Sequence, residues 1–381
     1  MPGSTEKQVG KILLELADYI ENKNAQEKIK IGVTMVGSEL GEEEILKGCR
    51  LCEKEHSDIE VVPIGGDLSA RSLAECEKEA HDQMNSLLKD REIDGALTMH
   101  YNFPLGVATV GKMVTPSLGR EMFVATTTGA TAADRVEGLV RNAVYGLATA
   151  KACGIKEPTL GVLNIEGARQ MAKVMYEMKE NGYHFNESAS VREDSGIVMR
   201  GNDILTGTPD VMVMDSLTGN VIAKLLSSFC SGGNYENIGF GYGPGAGEDW
   251  SHIVSIISRT SGAPVIAKAI KYTAEAVRGN LCREVARELA KAVECGMLDL
   301  LAKTNERKSI QKKDDFSKPE KEPVDAEIAG IDIMSIDEAV QLLWEKGVYA
   351  ESGMGCTGPV VMVSEKEQEG ATKILKENRY I

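Results

Sequence analysis

The sequence predicts an α/β protein built on a doubly wound, mostly parallel sheet, with a small module appended at the C-terminal end. Three observations carry that reading. Short apolar runs alternate with stretches of helical periodicity from Ile29 to about Leu301, the pattern of repeated strand–helix units. The runs end in clusters of Gly, Ser, Thr and Asp, the residues that make βα turns. Then Lys303 to Glu327 is charge-dense, poor in large apolar residues and carries Pro319 and Pro323, which reads as a linker. The expected organisation is therefore a body over 1–302, a linker over 303–327 and a module over 328–381.

Composition narrows the function classes. Of 381 residues, 42% are apolar and 27% charged, ordinary for a globular chain. The net charge of −15 gives no long-range attraction for nucleic acid or an anionic membrane, so any phosphate site must be built locally. Aromatics at 5% are too few for base-stacking surfaces. No run approaches the ~20 apolar residues of a membrane span. Met1 to Lys11 lacks an apolar signal core, so a cytoplasmic chain with reduced thiols is expected. Cys49-x-x-Cys52 has no second pair at ligand spacing, so it reads as two small residues on a helix face and no metal is expected.

Taken in order, Val9 to Ile20 reads as an amphipathic helix, Ile29 to Val36 as a strand, and Glu42 to Glu55 as a helix. Ile59 to Ile64 is a strand closed by Gly65-Gly66-Asp67, Leu73 to Lys89 a helix, and Gly95 to Met99 a strand followed by His100. Met122 to Thr126 is a strand running into Thr127-Thr128-Gly129-Ala130, with a helix from about Ala132 to Ala152. That loop at a helix start is a candidate anion nest. Leu160 to Ile165 is a strand and Ala168 to Asn181 a helix. Gly232 to Gly247 reads as a long glycine-rich loop, favoured as a mobile element near the site. Ile253 to Ile257 reads as the start of a helix, and Leu281 to Leu301 as one long helix. The module reads as a helix (Ser335 to Glu345), a strand, the turn Glu351-Ser-Gly-Met-Gly-Cys356-Thr-Gly-Pro359, a strand (Val360 to Ser364) and a terminal helix.

The chemistry concentrates between Pro209 and Phe229. Val211 to Met214 is an apolar run suited to a strand buried on both faces. Asp215-Ser-Leu-Thr-Gly-Asn220 then breaks it, and Val221 to Phe229 resumes at helical spacing. A turn there would lie at a strand's carboxyl end and a helix's amino end, where α/β sheets bind ligands and free N–H groups attract anions. Asp215, Ser216, Thr218, Gly219 and Asn220 sit at that spot, with Lys224 one turn on. The same residues read equally as an ordinary βα turn with a cap. Lys268, Lys271, Tyr272 and Thr273 are further candidates for phosphate or substrate contact.

This turn and its Lys resemble the Asp-Gly-Phe-Thr-Gly-Asn turn of the bacterial phosphate acyltransferases that make acyl phosphates. Pro158-Thr-Leu-Gly-Val-Leu-Asn-Ile-Glu166 resembles that family's Pro-x-Val-Gly-Leu-Leu-Asn-Ile-Gly strand, and Ser261-Gly-Ala-Pro-Val-Ile266 its Gly-Gly-Ala-Pro-Leu-Leu segment. Thr128-Gly129-Ala130 stands where the family has Gly-Ala-Asn, and matches it in Gly-Ala only. The resemblance implies an architecture shared with phosphotransacetylases and isocitrate dehydrogenases, and attack of inorganic phosphate on an acyl thioester without a cofactor. It implies Asp215 as acid/base, Asn220 and Lys224 as orienting or neutralising groups, and Thr128, Gly129, Ala130, Ser216, Thr218 and Gly219 as the phosphate and acyl site.

The appended Gly-Cys356-Thr-Gly-Pro turn adds a thiol where the backbone can approach a ligand closely. It reads either as a small residue in a glycine turn or as a nucleophile. Body, linker and tail together resemble the component C α subunits of glycine/sarcosine/betaine reductase complexes. That resemblance implies acetyl phosphate formation with Cys356 as acetyl carrier, and as partners a component C β subunit and a carboxymethylated selenoprotein, in a hetero-oligomer. The alternatives are a stand-alone phosphate acyltransferase of phospholipid synthesis using acyl carrier protein, and a non-catalytic scaffold subunit.

Overall fold

The computed structural model describes residues 28–65, 72–190, 196–310, 319–331, 335–355 and 358–381. The predicted helix at Val9 to Ile20, the Gly66-Asp67 turn and Cys356 lie outside the described residues. The chain begins β1 (Ile29–Thr34), α1 (Glu42–Glu55), β2 (Ile59–Ile64), α2 (Leu73–Lys89), β3 (Gly95–Thr98), β4 (Val107–Val114) and β5 (Glu121–Ala130). It continues α3 (Arg135–Ala152), β6 (Thr159–Leu163), α4 (Ala168–Glu180), β7 (Asn186–Glu187), β8 (Val198–Met199), α5 (Gly201–Thr206), β9 (Val211–Val213) and α6 (Ser216–Ser228). Next come β10 (Gly243–Gly247), β11 (Val254–Ile256), α7 (Ala263–Arg278), α8 (Leu281–Glu294) and α9 (Met297–Ile310). The last elements are β12 (Ala326–Ala329), α10 (Ile336–Glu345), β13 (Ala350–Gly355), β14 (Gly358–Val363) and α11 (Gln368–Glu377).

The large sheet has the order β2-β1-β3-β11-β10-β4-β5-β9-β6-β7, with β8 also on β6. β2, β1, β3 and β11 pair in parallel, as do β5, β9, β6 and β7. Between them β11–β10, β10–β4 and β4–β5 are antiparallel. Three reversals make the two parallel halves run in opposite senses. Helices cover both faces, as a parallel sheet requires. Ile45, Cys49 and Cys52 of α1 pack with Ile266 and Ile270 of α7 on one face, while Cys76, Ala80 and Met84 of α2 cover Ile64 on the other. In the second half, α3 and α8 take one face and Ala223 and Leu226 of α6 the other. Burial pushes the Cys49 and Cys52 thiols up to about 12.

Val211 to Met214, read as a strand buried on both faces, is fully buried. Several expectations are corrected. Gly243–Gly247 is a buried strand at the centre of the sheet, so the glycine-rich segment is not a free loop there. Its glycines serve close packing: a Cβ on Gly243 would stand 1.8 Å from the Val110 carbonyl oxygen. Ile253 to Ile257 holds strand β11, because a buried apolar run of that length carries no period to separate strand from helix. The helix expected from Leu281 to Leu301 is two helices broken at Cys295-Gly296, with Gly296 at φ 88. No expectation from the sequence covers β4.

The small second sheet, β12-β14-β13, is antiparallel and closes over Ile336, Ala339, Leu343, Val361, Val363 and Leu375. Helix α9 runs on to Ile310 and β12 starts at Ala326. The module rests on α4 through an Arg379–Glu180 ion pair and a Gln170–Ser335 hydrogen bond.

Candidate active site

Helix α6 places the predicted residues. Asp215 is its N-cap: one carboxylate oxygen accepts from the Leu217 and Thr218 amides at 3.1 and 3.0 Å, the other from the Thr218 hydroxyl at 2.7 Å. Burial raises its pKa, but the Thr218 hydroxyl and amide, Arg135 and the Leu217 amide outweigh burial and hold the carboxyl below the usual carboxylate value of 3.8. Its carboxylate thus fills the anion position at the helix start. Gly219 faces β5 so closely that a Cβ would stand 1.8 Å from the Thr126 carbonyl oxygen, which makes it a packing residue. Ser216 and Thr218 stay at this capped end.

The capped carboxylate gives a pH signature. A depressed folded pKa contributes stability at pH above the unfolded value, and that contribution is lost as pH falls from 3.8 through the lower folded value. Asp215→Asn loses the negative charge at the helix start and the oxygen that accepts from the Thr218 hydroxyl, and is expected to cost about 1 kcal/mol at neutral pH and to flatten the acid limb of the denaturation profile. Urea unfolding across pH 2.5–6 (an interval of about this width brackets carboxylate titration) would disprove the cap's role by giving parallel curves for the two proteins.

Asn220 and Lys224, four residues apart and so on one helix face, lead away from the cap into a cleft of about 550 Å³. Asn220 Nδ2 donates to the Thr127 carbonyl at 3.2 Å, tying α6 to β5. Thr128 and Gly129 line the same cleft. The structure thus brings together Thr128, Gly129, Asn220 and Lys224 and leaves Asp215, Ser216, Thr218, Gly219 and Ala130 outside the lining. Thr127 to Ala130 continue strand β5 and are not a loop at a helix start. Helix α3 begins later, at Arg135, and is capped by the Asp134 carboxylate, so the second expected anion nest already holds an anion.

The rest of the lining was missed or half-seen in the sequence. His100, Tyr101, Asn102 and Phe103 follow the carboxyl end of β3, and Ser258, Arg259 and Thr260 follow that of β11. Glu39, Met99, Tyr242, Ile256 and Ile257 complete it. The signal was available at His100, which follows a strand end. It was lost at Arg259 because β11 was read as a helix start. Lys224 and Arg259 set two fixed cations against Glu39; Arg259 also pairs with Glu77 at 2.8 Å. Behind the cleft, Lys224 Nζ donates to the Tyr242 hydroxyl at 3.1 Å, and Tyr242 donates to the buried Glu236 carboxylate at 2.7 Å. Lys268 stacks near Phe240, Lys271 pairs with Glu275, and Tyr272 and Thr273 are fully buried, so those last two do not contact a ligand. Among the described residues no group of His, Cys, Asp and Glu is arranged to hold a metal ion. Among them, too, no helix is long and apolar enough to cross a membrane.

The described residues thus form an α/β sheet with a cleft beyond its strand ends that is lined by hydroxyl-bearing and cationic side chains. The family model described as "Fatty acid synthesis protein" matches residues 29–362. The chain is 46% identical over 376 residues, 98% of each protein, to the glycine/sarcosine/betaine reductase complex component C subunit alpha of Peptoclostridium acidaminophilum. By both measures the chain belongs to this family, that of the fatty acid synthesis proteins and the reductase component C alpha subunits. It is also 25% identical over 240 residues to the phosphate acyltransferase of Thermotoga petrophila, covering 52% of this chain and 68% of that one. A branched-chain phosphotransacylase from Enterococcus faecalis V583 superposes with a TM-score of 0.45 at 15% identity, covering 65% of this chain and 99% of the other.

Proposed function

We propose that the chain forms acetyl phosphate by phosphorolysis of an enzyme-bound acetyl thioester, as the acyltransferase subunit of a glycine/sarcosine/betaine reductase complex. The observation that carries this reading is the convergence of Lys224, Arg259, Asn220 and Thr128 on one cleft in a chain of net charge −15. Identity to a named component C alpha subunit supports the complex, and the phosphate acyltransferase likeness supports the reaction class.

In this reading inorganic phosphate lies against Lys224, Arg259 and the Thr128 hydroxyl. A phosphate oxygen attacks the thioester carbonyl, the carbon–sulfur bond breaks and the carbon–oxygen bond forms. The proton carried by hydrogen phosphate ends on the leaving thiol, so acetyl phosphate and a free thiol are the products. Fixed donors at the cleft stabilise the oxyanion that develops on the carbonyl. His100 is the lining group suited to ferrying the proton. Asp215 serves by capping and aiming α6. Cys356 is the acetyl carrier, supplied by a component C β subunit and a carboxymethylated selenoprotein in the cytoplasm, and no cofactor takes part.

Arsenate tests the reaction directly, because an acetyl arsenate hydrolyses at once. The purified chain with acetyl phosphate, a thiol acceptor and arsenate is expected to consume acetyl phosphate in an arsenate-dependent manner; arsenate-independent decay alone would refute the reading. The carrier is tested by alkylation. Cys153, like Cys49 and Cys52, is pushed up to about 12 by burial, so it should stay unlabelled in the native protein, and the competition lies with exposed Cys230. Limiting iodoacetate is expected to label Cys356 before Cys230; peptide mapping with the opposite order would remove Cys356 as the carrier.

A further inference from the structure

Tyr242 and Glu236 are untouched by the reaction as described, yet both are buried at the back of the cleft, at 3% exposure each. Glu236 is held by the backbone: its amide donates to Thr260 and its carbonyl accepts from Gly262, at 2.9 and 2.8 Å. A buried carboxylate needs a partner, and here the Tyr242 hydroxyl donates to it at 2.7 Å. A tyrosine hydroxyl has one proton to give. With that proton committed to Glu236, the oxygen can only accept on its other side, and Lys224 Nζ donates there at 3.1 Å. The ammonium also lies 5.3 Å from the centre of the Tyr242 ring and 4.0 Å from Glu236. Burial, then the Glu236 charge, then the hydrogen bond to Glu236 push the Tyr242 hydroxyl well above its ordinary value, so it stays protonated and the chain of donors keeps one direction.

We infer that Tyr242, locked by Glu236, is a positioning residue that aims the Lys224 ammonium into the cleft for an anionic substrate. The inference rests on the reading of this cleft as the phosphate site. Lys224 needs such a partner because half of its side chain is exposed, and a free lysine side chain loses rotamer entropy when an anion orders it. Aimed beforehand, it pays less of that on binding.

The test is a double-mutant cycle read by calorimetric titration of the full chain with inorganic phosphate. Tyr242→Phe keeps the ring and removes only the hydroxyl, and is expected to weaken phosphate binding about tenfold, the scale of a hydrogen bond to a charged group. Lys224→Ala is expected to weaken it at least as much. The double variant should bind no more weakly than Lys224→Ala alone, because Tyr242 acts only through Lys224. A general folding defect would instead lower affinity equally in both backgrounds, and additive losses would overturn the inference. If Lys224→Ala binds phosphate as the parent does, the phosphate reading of the cleft itself falls. If Lys224→Ala loses affinity while Tyr242→Phe does not, that reading stands and the positioning role falls.

Discussion

Lys224→Ala is expected to lower kcat/KM for arsenate-dependent consumption of acetyl phosphate by about a hundredfold, the upper scale of losing a hydrogen bond to a charged group. The expectation follows from where α6 puts the side chain. Its alkyl stem leaves the helix four residues beyond Asn220, and its Nζ is anchored on the buried Tyr242 hydroxyl at the back of the cleft. No other lysine lines that cleft among the described residues. The loss should fall mainly on KM for arsenate, because a cation that binds the anion in ground and transition states alike changes KM first. Lys224→Arg should recover part of the activity, since it keeps the charge and changes the donor geometry. Steady-state kinetics with an unchanged KM in Lys224→Ala would place the anion elsewhere.

Gly219→Ala is expected to destabilise the protein by about 3 kcal/mol, the upper end for overpacking a close-packed core. The added carbon would stand 1.8 Å from the Thr126 carbonyl oxygen and 2.9 Å from its carbon. Both belong to backbone in the centre of the sheet, which has no rotamer to yield. Helix α6 must therefore lift from β5, and with it go the Asn220–Thr127 hydrogen bond and the aim of Lys224. The variant should thus lose stability and phosphate affinity together, unlike Asp215→Asn, whose loss is confined to the cap. Guanidinium unfolding showing parental stability would mean that the helix is not held at this distance.

The site was partly legible in the sequence, for particular reasons. Val211 to Met214 announced a buried strand because an uninterrupted apolar run admits few other structures, and the strand is fully buried. Asn220 and Lys224 were legible because helical spacing alone puts them on one face. Asp215 was legible as a capping carboxylate, because Asp directly before an apolar helical run is a common N-cap, and the three hydrogen bonds it accepts form that cap. Thr128 to Ala130 misled because a β-branched threonine followed by Gly-Ala fits a loop as well as a strand, until pairing with Val107 to Thr109 in β4 fixes them as strand. β4 itself went unread, so the partner that decides the matter was missing.

What the sequence determined by itself is local: the alternation of strands and helices, the cap on α6, and the helical face that carries Asn220 and Lys224. Tertiary structure alone decided that the parallel halves run in opposite senses, that the glycine-rich segment ends as a central strand, and that Tyr242 and Arg259 join Lys224 at one cleft. The physical reason is range. Periodicity and capping act within a few residues, whereas strand pairing and the meeting of side chains across a cleft depend on contacts between segments far apart in the chain, which no local pattern records.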